Sequence, residues 1–169
     1  MEIENKKIIV ATHVYADGPA QALRDYLISS KAARALFIGH PLFYNRMLKG
    51  SGYELYEKGE RKKISYPEIK RLPEIIAYFK AVVLNIIWAI RFGKKWDLYV
   101  GSNNLNAFSG VVLRWLGIVD KTAYYVIDYT PKRFNNPILN WIYHCLDRFC
   151  VKNCDETWNL SARMEQGRR

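Results

Sequence analysis

The stretch from Ile8 to Ile28, IIVATHVYADGPAQALRDYLI, constrains the fold more than any other part of this chain. It is typical of a short β-branched strand, a turn, and an amphipathic helix that begins at Pro19, a favoured first helical position. Asp17 or Gly18 can cap this helix, whose free backbone N–H groups can face an anion. The segment therefore predicts the opening of a parallel α/β domain, with a ligand-binding loop after the first strand.

Apolar runs bounded by turn signals alternate with helical stretches along the remaining chain, as in β-α-β units. Strands are predicted near 8–12, 34–39, 53–57, 97–102, 122–127 and 156–160, the third as an edge strand. Helices are predicted over 19–30, 73–93, 104–117 and 136–153, with another beginning at Ser161. Asn135 or Asn136, before Pro137, marks the start of the fourth helix. A predicted core face of this helix recurs at helical spacing through Ile138, Ile142, Cys145, Leu146 and Phe149. The pattern predicts a three-layer α/β/α Rossmann-like domain with a mainly parallel sheet.

Length, charge and cysteine content narrow the class of protein. The 169 residues suit one domain, and 26 Lys plus Arg against 16 Asp plus Glu give a formal net charge of +10. This charge favours polyanionic partners, either nucleic acid, anionic lipid or phosphorylated small molecules, but nucleic acid is disfavoured because no recognisable module for it is present. Three cysteines close together, Cys145, Cys150 and Cys154, favour core thiols over disulfides or a metal site. The N-terminal segment has too few apolar residues to form the hydrophobic core of a signal peptide, so we expect a cytoplasmic protein.

Several nucleotide-binding and catalytic motifs are missing from the sequence. The first turn lacks G-x-G-x-x-G, and His40 and Pro41 follow the second strand where an acidic ribose ligand is expected. The sequence also has no P-loop and no G-x-S-x-G nucleophile elbow. These observations disfavour a dinucleotide-dependent enzyme, a P-loop NTPase and an α/β-hydrolase, and we expect no bound cofactor.

The loops after the predicted strands are the expected ligand site, because open α/β sheets bind ligands beyond the carboxyl ends of their strands. This rule selects 13–19, 40–44, 103–104 and 128–131, which should share one rim. The candidate substrate-binding residues in these loops are His13, Tyr15, Asn103, Asn104, Tyr129 and Thr130. A lone loop histidine such as His13 can equally be solvated.

Four segments of the chain carry a family resemblance: HVYADGPAQALRDYL, DLYVGSNNLNAFSGVVLRWLG, YYVIDYTP and DETWNLSARM. Together they resemble the N-terminal domain of a GT-B glycosyltransferase, similar to glycosyltransferase family 4. In that family the N-terminal domain binds the acceptor, a C-terminal twin binds the nucleotide sugar, and transfer takes place between them. The resemblance implies a sugar or lipid-linked acceptor, a nucleotide-sugar donor and transfer with retention.

The resemblance also implies roles for single residues. Asp17 and Gly18 correspond to the loop that approaches the donor phosphates and sugar, although a plain turn and helix cap explains Asp17 equally well. Asp128 follows a predicted strand where related enzymes place a His or Asp that hydrogen-bonds the transferred sugar, and it is the candidate catalytic residue. The alternative is that Asp128 only orders the turn that follows it. The resemblance also places His13 where it can contact the acceptor.

The resemblance divides the chain into a domain over 1–160 and the start of an interdomain linker over 161–169. The donor-binding domain would lie outside these residues, so we expect the chain alone to be inactive. The alternatives are a non-catalytic partner of a separate donor-binding chain, or a basic nucleic-acid-binding α/β domain.

A long apolar stretch between Ile69 and Trp96 raises a separate expectation. Lys80 interrupts it, basic residues flank it, and Trp88 lies within it, so it is too interrupted for a confident membrane span. A helix of this kind can lie on an anionic membrane, which would make the protein peripheral on the cytoplasmic face. It can equally pack on the sheet with solvated ends.

Overall fold

The structure is a computed structural model that describes residues 2–13, 18–41, 50–67 and 72–166. Its strands are β1 (Lys7–Thr12), β2 (Arg34–Gly39), β3 (Gly52–Glu57), β4 (Glu60–Ser65), β5 (Trp96–Gly101), β6 (Val119–Val126) and β7 (Glu156–Asn159). Its helices are α1 (Pro19–Ser29), α2 (Glu74–Phe92), α3 (Asn104–Trp115), α4 (Pro137–Asn153) and α5 (Ala162–Gln166). The predicted α/β alternation is confirmed.

The seven strands form one sheet in the order β4-β3-β2-β1-β5-β6-β7. Strands β2, β1, β5, β6 and β7 are parallel, whereas β3 pairs antiparallel with both β2 and β4. The chain builds the sheet outward from β1 through β2 to β4, then crosses to β5 and builds in the other direction. The topological switch point therefore lies between β1 and β5, where open α/β sheets bind ligands.

Helices cover the two faces of the sheet, which confirms the predicted three layers. Residues Ala20 and Leu27 of α1 pack with Ile8 and Val10 on one face. On the opposite face, α2 and α3 bury a core that includes Ile9 and Leu36 of the sheet with Trp88 and Leu113 of the helices. Beside α3, α4 packs against β6 through the buried Cys150. The alternation of apolar side chains along β1 decides which residue faces which layer.

Three details differ from the sequence predictions. Strand β4 was not predicted, because its side chains are all exposed and its sequence, ERKKIS, carries no apolar alternation. As a result β3, predicted as an edge strand, is an interior strand and β4 forms the edge. Ile138 and Ile142, predicted as part of a core face, are exposed, whereas Cys150 on the same helix is buried.

Candidate functional site

Two buried histidines lie side by side at the carboxyl ends of β1 and β2. His13 follows β1 and His40 follows β2, and their ring centroids are 5.2 Å apart. Both side chains are buried, at 4% and 1% exposure. Asn103, which caps α3 just after β5, contacts His13 across the switch point. The structure thus brings together three residues of the predicted rim, His13, His40 and Asn103.

A helix cap determines which nitrogen of His13 carries its proton. The side-chain Oδ1 of Asn103 accepts a hydrogen bond of 3.0 Å from the backbone N–H of Asn106, as an N-cap does. Its Nδ2 is therefore the atom that donates to His13 Nδ1, at 2.8 Å. Asn106 Nδ2 donates to the same nitrogen at 3.0 Å. Because two amide N–H groups share the lone pair of Nδ1, the neutral His13 ring carries its proton on Nε2.

The same reasoning extends along the network to His40. With Asn106 Nδ2 facing His13, Asn106 Oδ1 accepts from Asn85 Nδ2 at 2.8 Å. Asn85 Oδ1 is then the atom that faces His40 Nε2, at 3.0 Å. A carbonyl oxygen only accepts, so His40 Nε2 donates and its Nδ1 carries a lone pair. The second amide hydrogen of Asn85 reaches Ser109 Oγ at 3.2 Å.

The network leaves one nitrogen of each imidazole without a hydrogen bond. Within the part of the chain that the structure describes, His13 Nε2 and His40 Nδ1 are buried and have no partner. From the tautomers above, the first is a donor and the second is an acceptor. Buried polar atoms are rarely left unpaired, so a pair of this kind is typical of a position that a ligand or an ordered water fills.

Burial keeps both rings neutral. Burial, the nearby His40 and the positive charge of Arg133 together lower the pKa of His13 to about 3, against an opposing contribution from the hydrogen bond with Asn103. Burial also lowers the pKa of His40 to about 4, opposed by the hydrogen bond with Asn85 and reinforced by the charge of Lys80. At neutral pH the pair therefore offers hydrogen bonds but no positive charge.

Close packing of α3 on β5 positions the asparagines. Gly101 ends β5, and a Cβ at this position would lie 2.3 Å from the backbone N of Ala107. Only glycine permits this approach of helix and strand, and it brings Asn103 and Asn106 onto His13.

Asp128 lies on the exposed part of the rim. Its Oδ2 is 3.2 Å from Nη1 of Arg133, and the Asp128 side chain is 65% exposed. Arg133 also acts electrostatically on His13, which links Asp128 to the buried pair through this guanidinium. Both explanations for Asp128, a ligand contact and the ordering of its loop, are consistent with this ion pair.

The loop that follows Asp128 borders a cavity of about 300 Å³ against α4. The residues that line it are Tyr129, Pro131, His144, Asp147 and Arg148. The carbonyl oxygen of Pro131 accepts a hydrogen bond of 2.8 Å from His144 Nε2, which ties the loop to α4. The backbone of Thr130 is hydrogen-bonded to the side chain of Tyr143, which lies on the same helix α4. Tyr129 thus lines a cavity, whereas Thr130 contributes to the loop through its backbone.

The other predicted site residues are placed less directly. Asn104 turns away from the histidines, is buried, and donates from Nδ2 to the carbonyl of Tyr143 at 3.3 Å. Gly18 is the N-cap of α1 and provides no side chain to its free N–H groups. Tyr15 and Asp17 lie outside the described residues.

Sequence reasoning missed Asn85, Asn106 and Arg133. Asn85 is a lone amide in the apolar helix EIIAYFKAVVLNIIWAIRF, and it falls at helical spacing with the buried Ala81, Trp88 and Ala89. This isolated polar residue on a core face was a detectable signal, because buried amides require partners. Asn106 lies three residues after the N-cap Asn103, at the position whose backbone N–H commonly donates to the capping side chain.

Comparisons with known proteins leave the family open. No family model matches the chain, no curated protein is significantly similar to it, and no solved structure matches it significantly. Among the described residues, no group of three His, Cys, Asp or Glu side chains could hold a metal ion. The three cysteines are free thiols.

Proposed function

We propose that this chain is the acceptor-binding half of a GT-B glycosyltransferase, which transfers a sugar from a nucleotide-sugar donor to a sugar or lipid-linked acceptor. Support comes from the Rossmann-like fold, from the element order of the family 4 resemblance, and from the polar site at the switch point. The observation that carries the proposal is the unpaired donor and acceptor of the His13–His40 pair.

The hydrogen-bonding pattern of this pair matches a hydroxyl group. A hydroxyl donates one hydrogen bond and accepts others. A hydroxyl within reach of both rings would accept from His13 Nε2–H and donate to the lone pair of His40 Nδ1. A carbonyl oxygen satisfies only His13, and an ammonium group satisfies only His40. An ordered water has the same pattern as a hydroxyl, and an acceptor hydroxyl would displace it.

The neutrality of the pair argues against a phosphate at the same position. A phosphate group is mainly an acceptor and is best bound by cations or by several N–H donors. The pKa values of about 3 for His13 and about 4 for His40 leave neither ring charged at neutral pH. In this proposal the donor diphosphate instead faces the N-terminus of α1 at Gly18 and binds mainly through a separate donor-binding domain.

Asp128 has the catalytic role in this proposal. It follows β6 on the rim, is exposed, and is paired with Arg133. A carboxylate is a strong acceptor for the paired hydroxyls of a sugar and would position the transferred ring and stabilise its developing positive charge. In a retaining transfer the leaving diphosphate would accept the acceptor's proton, so Asp128 need not act as a base.

The first test measures ligand binding at the two imidazoles. The chain is labelled with ¹⁵N, and the imidazole signals are followed during titration with methyl glycosides, inorganic diphosphate and single-stranded DNA. Glycosides should shift the signals of both His13 and His40, and diphosphate should leave the pair unchanged. If only DNA binds, with the steep salt dependence of phosphate contacts, the nucleic-acid alternative replaces this proposal.

The second test measures turnover when the chain is joined to a donor-binding domain. Asp128→Ala should lower kcat on the order of 10²-fold, which is usual when one transition-state contact is lost. Asp120→Ala is the matched control, because Asp120 lies at the opposite end of β6 and pairs with Lys95 at 3.2 Å. Near-normal turnover of Asp128→Ala, with the control also unaffected, would remove Asp128 from the site.

A further inference from the structure

The outer surface of the helical layer α2–α3–α4 is apolar. Among the described residues, all but three of the exposed large hydrophobic side chains lie on this layer, and the exceptions are Tyr26, Ile64 and Leu160. Those on the layer are Ile75, Ile76, Phe79, Ile87, Ile90, Trp115, Leu116, Ile138, Trp141, Ile142 and Val151. Exposed apolar side chains concentrated on one layer in this way are typical of an interaction site.

Helix α2 illustrates how the surface arises. Its inner face buries Ala81, Asn85 and Trp88 against the sheet, whereas Phe79 and Ile87 on its outer face are 72% and 49% exposed. The segment Ile75–Phe92 is long and apolar enough to cross a membrane, and 28% of it is buried inside the protein. Because Asn85 is hydrogen-bonded to His40 and Asn106, α2 is packed on the sheet as part of the domain, and its outer face is exposed.

Among the described side chains, the exposed charges on the same layer are all positive. The exposed cations are Lys80 and Arg91 on α2 and Arg148 and Lys152 on α4. Among the described side chains of α2, α3 and α4, the one carboxylate is Asp147, which is buried. An apolar surface with exposed lysine and arginine complements the acyl chains and the negative headgroups of an anionic bilayer.

We propose that the α2–α3–α4 layer binds in the plane of an anionic lipid bilayer. In this arrangement Trp115 and Trp141, which are 62% and 63% exposed, lie at the level of the lipid headgroups, where tryptophan is favoured. Trp88, which lies in the same apolar stretch, is buried in the core, as the alternative of a helix packed on the sheet requires. The cations of the layer then contact the lipid phosphates.

The layer also extends to the candidate site. Helices α3 and α4 begin at the carboxyl edge of the sheet, and Tyr78 in the second turn of α2 lies 5.9 Å from His13, ring centre to ring centre. The apolar residues in the first two turns of α2 and α4, among them Ile76 and Trp141, therefore lie beside that edge. Membrane binding does not depend on the proposed transfer reaction, but it would bring the site next to lipid-linked acceptors.

The test measures flotation of the chain with lipid vesicles, without any sugar ligand. Vesicles of phosphatidylcholine alone are compared with vesicles that contain about one third phosphatidylglycerol, and binding to the anionic vesicles should be about tenfold stronger or more. The triple variant Phe79→Ser, Ile87→Ser, Trp141→Ser should lose at least about tenfold of this binding. The matched control Tyr26→Ser, Ile64→Ser removes exposed apolar side chains outside the layer and should bind as the parent chain does.

A charge variant tests the electrostatic part. Arg91→Gln with Lys152→Gln should weaken binding to anionic vesicles only. The control Lys62→Gln with Lys121→Gln changes residues on strands β4 and β6, outside the layer, and should not weaken it. Circular dichroism and thermal unfolding of each variant confirm that the fold is kept. Absence of vesicle binding at low salt, or equal binding by the layer variants and their controls, overturns the proposal. A dimer that forms without vesicles and dissociates in the triple variant would assign the layer to a second copy of the chain instead.

Discussion

The stability of the domain between pH 7 and pH 5 should depend strongly on His13 and His40. An unfolded histidine titrates near pH 6.5, whereas burial lowers the pKa of His13 to about 3 and that of His40 to about 4. As the pH falls through 6.5, the unfolded chain therefore binds protons that the folded chain does not. The contribution of the neutral pair to stability is fully present above pH 6.5 and is lost progressively towards pH 3.

The expected loss follows from these values. Between pH 7 and pH 5 each imidazole lowers the free energy of unfolding by about 2 kcal/mol, so the pair accounts for about 4 kcal/mol. Carboxylates act in a lower window. Partial burial acts to raise the pKa of Asp97. Hydrogen bonds from the Lys7 backbone and the Lys6 side chain nevertheless hold this pKa below its usual value of 3.8. Its stabilising effect is therefore retained at pH 5.

The measurement is urea unfolding at pH 7, 6 and 5, followed by circular dichroism. The informative variant is His13→Asn with His40→Gln, because the Asn Oδ1 can replace the acceptor Nδ1 of His13 and the Gln Nε2 can replace the donor Nε2 of His40. This variant cannot take up the two protons, so most of the pH dependence should disappear. His144→Gln is the control, because this partly exposed imidazole lies outside the buried network. A double variant with the same pH dependence as the parent chain would refute the reasoning.

Two further predictions concern single asparagines. Asn85→Ala leaves His40 Nε2–H and Asn106 Oδ1 buried without a partner, which costs about 1–3 kcal/mol each. The Tm of this variant should therefore fall on the order of 5–10 °C in differential scanning calorimetry. A Tm within about one degree of that of the parent chain would contradict the network. Asn136→Ala removes the side chain that accepts from Ile138 N and Leu139 N at the start of α4, and urea unfolding should show a loss of about 1 kcal/mol. The neighbouring Asn135→Ala is its control, and equal losses in the two variants would exclude a capping role.

Local sequence patterns were sufficient for most elements of the fold. Strand β1 and helix α1 follow from β-branched residues before a turn and from Pro19 as the first helical residue. The start of α4 follows from Asn136 before Pro137, and the structure confirms this cap. The rule that ligands bind beyond the carboxyl ends of strands brought His13 and Asn103 into one predicted site, and the structure places them 2.8 Å apart.

Elements whose formation depends on a neighbour were not predictable in this way. The side chains of β4 are all exposed, and it is a strand because its backbone pairs with β3. The apolar spacing of α4 predicted a core face through Ile138 and Ile142, yet these side chains are 68% and 48% exposed. Periodicity records which residues share a helix face, but burial depends on what packs against that face.

The sequence by itself determined the α/β alternation, the order of most elements and the edge of the sheet where a ligand should bind, because hydrogen bonding and side-chain direction within a strand or helix depend on residues close in the chain. Only the tertiary structure decided the state of the candidate site. The proton positions on His13 and His40 follow from Asn85, Asn103 and Asn106, which come from two other segments of the chain. Their low pKa values likewise depend on burial by several elements at once, and no local pattern specifies that burial.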